Sequence, residues 1–158
     1  MMADYSLAIA NAVREYLNSQ NWHFDYNAEK KFFRFGMNLK SKLKSCDVII
    51  RIRDDSFTVY AVSSISADDN TKQAVAEYIT RANYGLKVGN FEMDYSDGEI
   101  RYKCHHECGS SIPAMDVVET NVDLSFLMMQ RYGDGLLAVI FGVATPEVAC
   151  QQAEAPKN

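Results

Sequence analysis

The 158-residue sequence lacks the motifs that mark most enzyme classes. GxGxxG and the P-loop pattern are both missing, so no glycine-rich loop stands ready to cradle phosphates. GxSxG is missing too, which removes the strained turn that presents a hydrolase serine. No CxxC knuckle occurs, and the acidic residues lack metal-site spacing. The longest late apolar run, Leu136 to Phe141, falls far short of the roughly 20 residues that cross a bilayer. Asp4 lies in the first turn, and no basic start precedes a long apolar stretch, as a secretory leader would require. The expectation is a cytoplasmic protein with four free thiols, Cys46, Cys104, Cys108 and Cys150. Positive charge is also short. Sixteen Lys and Arg face 21 Asp and Glu, for a net charge of −5, which argues against a protein built to coat nucleic acid or an anionic membrane.

What is present is the composition of an ordinary globule, 47% apolar and 23% charged. One domain over residues 1–145 is expected, with 146–158 as a disordered tail. The basic residues are concentrated. Lys30, Lys31, Arg34, Lys40, Lys42, Lys44, Arg51 and Arg53 stand against Asp47 alone, a local +7 that leaves −12 for the rest of the chain.

The most legible stretch is Asn83 to Cys108. Asp97-Gly98 predicts a two-residue hairpin turn, since glycine adopts positive φ without steric cost. That turn would pair Tyr95 with Ile100, Met93 with Tyr102 and Phe91 with Cys104 on an apolar face. Asp94 would then oppose Arg101, and Glu92 would oppose Lys103, on the other face. A second hairpin, turning at Asp54-Asp55, sets Val48, Ile50 and Ile52 beside Phe57, Val59 and Ala61. Its opposite face carries Ile49, Arg51, Arg53, Thr58 and Tyr60.

Helical spacing of Tyr5, Ile9, Ala12, Val13, Tyr16 and Leu17 predicts a helix over about 3–19. Trp22 to Tyr26 and Phe33 to Lys40 read as strands, with Gly36 marking a bulge or a close contact. Asp68 or Asp69 should cap a second helix whose buried stripe is Val75, Tyr78, Ile79 and Ala82, ended by Gly85. A third, unusually apolar helix opens near Ser111 and Pro113 and runs to Tyr132, where Gly133 and Gly135 interrupt it. The fold class is α+β, an antiparallel sheet with helices packed on one face in the order α-β-β-β-β-α-β-β-α.

The helix ending in Asn83, then Gly89-Asn90-Phe91-Glu92-Met93-Asp94, then Asp97-Gly98-Glu99-Ile100-Arg101-Tyr102, resembles the YbjN-domain family, whose fold is similar to the type III secretion chaperones. The Val48-to-Ala61 hairpin and the apolar helix fit it as well, so the resemblance spans most of residues 3–142. It implies a small bacterial cytoplasmic protein of the kind described as regulators, without agreed chemistry. The chaperone-like fold implies homodimers that bind extended protein segments.

Three candidate sites follow from the residues. Cys104, His106 and Cys108 share a strand face and are suitable zinc ligands. Residues four apart on a straight strand, however, lie roughly 13 Å apart, so neither a metal site nor a bridge between the cysteines is expected. Phe32, Arg34, Ile49, Arg51, Arg53 and Tyr60 would form a partner-binding face if the sheet has an open side. The same basic stretch is the basis of an alternative, binding of nucleic acid or another anion. The apolar third helix is either the core helix or a dimer seam carrying Val118, Val122, Phe126, Met128 and Met129. The expectation is a non-enzymatic module without cofactor. Its partners would be a second copy and an unknown protein, with no membrane and no generic nucleic acid.

Overall fold

A computed structural model describes residues 4–157. Its elements are α1 (Ser6–Ser19), β1 (Asp25–Asn27), β2 (Phe32–Asn38), β3 (Ser45–Ile52), β4 (Ser56–Ser63), α2 (Lys72–Asn83), β5 (Asn90–Met93), β6 (Ile100–Glu107), α3 (Met115–Ile140) and α4 (Pro146–Glu154). All strands join one antiparallel sheet in the order β1-β2-β3-β4-β6-β5. The chain leaves the sheet after β4, forms α2, and returns so that β6 lies against β4 and β5 takes the edge. This is the α+β architecture expected, with one helix more. Among the described residues no helix is long and apolar enough to cross a membrane.

Strand alternation fixes the two faces. Phe33, Phe35, Val48, Ile50, Ile52, Phe57, Val59, Ala61, Phe91, Ile100, Tyr102 and Cys104 point into the core and are buried. The helices cover that face, with Ile9, Val13, Tyr16 and Leu17 from α1 and Val75, Tyr78, Ile79 and Ala82 from α2. The Asp54-Asp55 hairpin has the expected register, with Val48 opposite Ala61, Ile50 opposite Val59 and Ile52 opposite Phe57.

The second hairpin differs by two residues. Phe91 pairs with Tyr102 and Met93 with Ile100, while Glu92 faces Arg101. Asp94 to Glu99 form a wide loop, in which Asp94 Oδ1 accepts from the Ser96 N–H at 2.8 Å and Asp94 O accepts from the Gly98 N–H at 2.7 Å. Gly98 does adopt positive φ, +79°, but for a tertiary reason. Its backbone lies so close to the Ala67 carbonyl that a Cβ would collide, and Gly98 O accepts from the Ala67 N–H at 2.9 Å. A shift of two preserves side-chain parity, so the apolar face survives while Tyr95 leaves it for solvent.

Four further expectations are corrected. Gly36 is neither bulged nor crowded: its pairing with Asp47 is regular, and a Cβ there would meet nothing within 4 Å. Asp68 and Asp69 do not cap α2 directly. Asp68 O accepts the Thr71 and Lys72 N–H groups in a preceding turn, and Asp69 pairs with Lys72 at 2.8 Å. Gly133 and Gly135 do not interrupt α3, which continues for 26 residues. They sit where neighbours approach: a Cβ on Gly133 would fall 2.5 Å from Ser41 Oγ, and one on Gly135 would collide with the Tyr78 hydroxyl. Finally, residues 146–154 are not a loose tail but α4. Pro146 occupies its first turn, Thr145 Oγ1 accepts from the Val148 N–H at 3.2 Å, and Ala149 and Cys150 are buried.

Candidate binding face

Opposite the helices, three cross-strand rows of side chains run over the sheet. One reads Asn27, Phe32, Arg51, Thr58 and His105, strand by strand. The next reads Asp25, Arg34, Ile49, Tyr60, Lys103 and Asn90, and the third Gly36, Asp47, Val62, Arg101 and Glu92. Five of the six expected partner-binding residues, Phe32, Arg34, Ile49, Arg51 and Tyr60, therefore lie on this one face in two neighbouring rows. Arg53 sits just beyond, at the exposed end of β3.

The face is organised by charge pairing. Arg34 Nη2 reaches Asp47 Oδ2 at 2.6 Å. Glu92 accepts from Arg101 Nε at 2.5 Å and Lys103 Nζ at 3.1 Å. Partial burial opposes ionisation of Glu92, but the hydrogen bonds and charges of Arg101 and Lys103 outweigh it and hold the carboxyl below its usual range. The Arg101 guanidinium lies 4.1 Å from the Tyr60 ring centre, a cation–π contact that braces the aromatic ring. Ile49, Tyr60 and Val62 thus form a half-buried apolar strip bounded by fixed charges.

Beside this strip is a hydrogen-bonded chain. Glu107 Oε1 lies 2.8 Å from His105 Nε2, and His105 Nδ1 lies 2.7 Å from Thr58 Oγ1. A neutral imidazole can donate from only one nitrogen, so with Glu107 ionised it donates from Nε2 and accepts the Thr58 hydroxyl at Nδ1. His105, Lys103 and Arg101 were not among the expected site residues. Strand parity places them on this face, but the β4–β6 pairing that brings them next to Tyr60 joins strands that are not consecutive in sequence.

The other candidate sites are dispersed. Cys104 is enclosed in the core, where burial pushes its thiol up to about 12. His106 packs its ring 5.6 Å from Phe57, and Cys108 is half-buried at the strand end. Among the described residues no group of three His, Cys, Asp or Glu side chains is close enough to hold a metal. The basic stretch also divides. Arg34 and Arg51 lie on the open face, whereas the β2–β3 loop that carries Lys40, Lys42 and Lys44 is clamped to α3. There Gln130 Oε1 accepts the Lys40 N–H at 2.8 Å, and Asp134 Oδ1 accepts the Lys42 N–H at 2.7 Å. Lys31 is turned toward Asp4 and Ser6.

The dimer-seam assignment is corrected for three residues. Val118, Val122 and Met129 are fully buried within the single chain. Phe126 and Met128 are half-buried against the same core, with the Phe126 ring 5.8 Å from Trp22. Most of the apolar surface of α3 is covered by the sheet, α1, α2 and α4, while Met115 and Leu127 stay exposed; α4 supplies a wall that the apolar pattern of α3 alone does not reveal.

No family model matches the sequence, and no curated protein matches it. Among solved structures, the fold is similar to the crystal structure of YbjN from E. coli, provisionally described as a transcription regulator, with a TM-score of 0.56. The match covers 84% of this chain and 90% of that one at 9% identity, a likeness of fold.

Proposed function

We propose that the protein is a non-enzymatic binding module that holds an extended segment of a partner protein across its open sheet face. The observation that carries this reading is the assembly, on a face without helices, of Phe32, Ile49, Tyr60 and Val62 among Arg34, Arg51, Arg101 and Lys103. An extended chain presents alternate side chains to such a surface, so apolar residues can enter the strip while polar ones meet the fixed charges. The similarity to YbjN supports a regulatory or binding role at the level of the fold.

Distribution of charge favours a protein segment over nucleic acid. Arg34 is matched by Asp47, and Arg101 and Lys103 share Glu92, so this face does not form the continuous phosphate-tracking stripe of nucleic-acid binders. Homodimerisation through α3 is not part of this reading, because Val118, Val122 and Met129 are buried within the single chain.

A salt series separates the two partner classes. Phosphate contacts release counterions, so nucleic-acid affinity would fall steeply with salt, by roughly 0.9 log units per contact per log unit of salt. We expect only weak, sequence-independent affinity for DNA or RNA at physiological salt. Tight binding with a steep slope, abolished by replacing Lys40, Lys42 and Lys44, would reverse the assignment.

A further inference from the structure

Most charges of the open sheet face are matched from within the face. Arg34 holds Asp47, and Glu92 takes both Arg101 and Lys103. Glu107 is engaged by His105, whose other ring nitrogen takes the Thr58 hydroxyl. Arg51 is different. It is exposed, and among the described residues it has no ion-pair partner.

Its neighbours define what it can read. In its cross-strand row Arg51 stands between Phe32 and Thr58. The next outward residue of β3 is Ile49, opposite Tyr60, and after it comes Asp47, opposite Val62. Alternate residues of a strand lie roughly 6.8 Å apart, twice the rise per residue. One unmatched guanidinium therefore sits a single alternation step from the apolar pair Ile49 and Tyr60.

On the reading of this face as the binding surface, we propose that the segment it holds is acidic: an aspartate or glutamate side chain meets Arg51, and two residues along an aliphatic side chain meets Ile49 and Tyr60. Extended chains stacked face to face keep their directions within about 30°, so such a segment runs along the seam between β3 and β4 and turns every second side chain onto it. A guanidinium and a carboxylate match as a two-pronged pair. A phosphate, with up to about two charges, would call for a second free cation in the same row, where Phe32 and Thr58 stand instead. The next side chain facing the sheet would lie over Val62, because Asp47 is already held by Arg34.

The test is selection against the full chain from a random linear-peptide library with acetylated and amidated ends, followed by titration of the selected peptides. Blocked ends confine any carboxylate to a side chain. Peptides whose footprint covers Ile49 and Tyr60 should carry an aspartate or glutamate two residues from a leucine, isoleucine or valine. Changing that acid to its amide should weaken binding about three- to five-fold, and the same change should cost nothing against Arg51→Gln. Selection against Arg51→Glu should reverse the preference and enrich lysine or arginine at that place. Arg51 is exposed, so neither substitution should alter the spectrum of the free protein. Face-binding peptides without an acid preference, or with one that persists against Arg51→Gln, would overturn the inference and leave the open face as the binding surface. A library that yields no peptide on the face would overturn both.

Discussion

The Asn83 side chain pairs with the Phe91 backbone as if it were a neighbouring strand. Its Nδ2 donates to Phe91 O at 3.0 Å, and its Oδ1 accepts from the Phe91 N–H at 2.7 Å. Phe91 belongs to the edge strand β5, so the last residue of α2 occupies the pairing groups that would otherwise face outward. An edge closed in this way resists pairing with a further strand.

Removing that side chain should therefore be costly. Asn83→Ala leaves the Phe91 N–H without a protein partner, while Phe91 O keeps the Asn90 Nδ2 donor at 3.1 Å, and a loss of about 1–3 kcal/mol is expected from urea denaturation. Asn83→Asp keeps the acceptor but loses the donor, and should fall between the parent and Asn83→Ala.

Glycine positions separate crowding from free space. In Gly135→Ala the new methyl meets the Tyr78 hydroxyl, which donates to Tyr132 O at 2.7 Å in the core. Overpacking of about 1–3 kcal/mol should exceed the gain of roughly 1 kcal/mol in helix propensity, so thermal stability falls. Gly36→Ala has open space on the sheet and should be neutral or slightly stabilising.

The organisation of β3 and β4 was legible because both faces alternate cleanly, so a single register satisfies Val48, Ile50 and Ile52 together with Phe57, Val59 and Ala61. The outward-facing set Phe32, Arg34, Ile49, Arg51 and Tyr60 followed from the same alternation. The 97–98 turn misled because Asp-Gly is a local signal, while Gly98 answers a contact with Ala67 some thirty residues away. The unbroken α3 was hidden for a similar reason: Gly133 and Gly135 look like helix breakers until Ser41 and Tyr78 are seen against them. α4 was lost among polar residues, since only Ala149 and Cys150 are buried. Its absence from the reading made the apolar α3 appear to need a second copy.

Truncation after Thr145 should show what α4 covers. Loss of Ala149, Cys150 and the Glu154 contact to Tyr132 uncovers the Tyr78–Tyr132 region. We expect lower stability, with the new apolar surface detected by dye binding. A truncated chain as stable as the parent would return residues 146–154 to the status of a tail.

Two carboxylates should give opposite pH effects. Glu92 is held below its ordinary 4.5, so its stabilising contribution is present above that value and is lost as pH falls through the folded-state value. Asp123 is raised above 3.8, chiefly by burial and further by Glu119, against the hydrogen bond of 2.5 Å from the Tyr16 hydroxyl. Its ionisation therefore opposes folding once pH exceeds the folded-state value. At pH 7 Glu92→Gln should lower the melting temperature and Asp123→Asn should raise it. At pH 3 both differences should shrink.

The central claim is that the open sheet face holds an extended protein segment. Selection from a random linear-peptide library against the immobilised protein, with the bound footprint mapped by hydrogen exchange and amide shifts, tests it most directly. The account predicts enriched peptides whose footprint covers Phe32, Ile49, Tyr60 and Val62, lost in Ile49→Asp and weakened more by Tyr60→Ala than by Lys42→Ala. A library that enriches no linear peptide, or peptides that bind elsewhere and ignore Ile49→Asp, would contradict it.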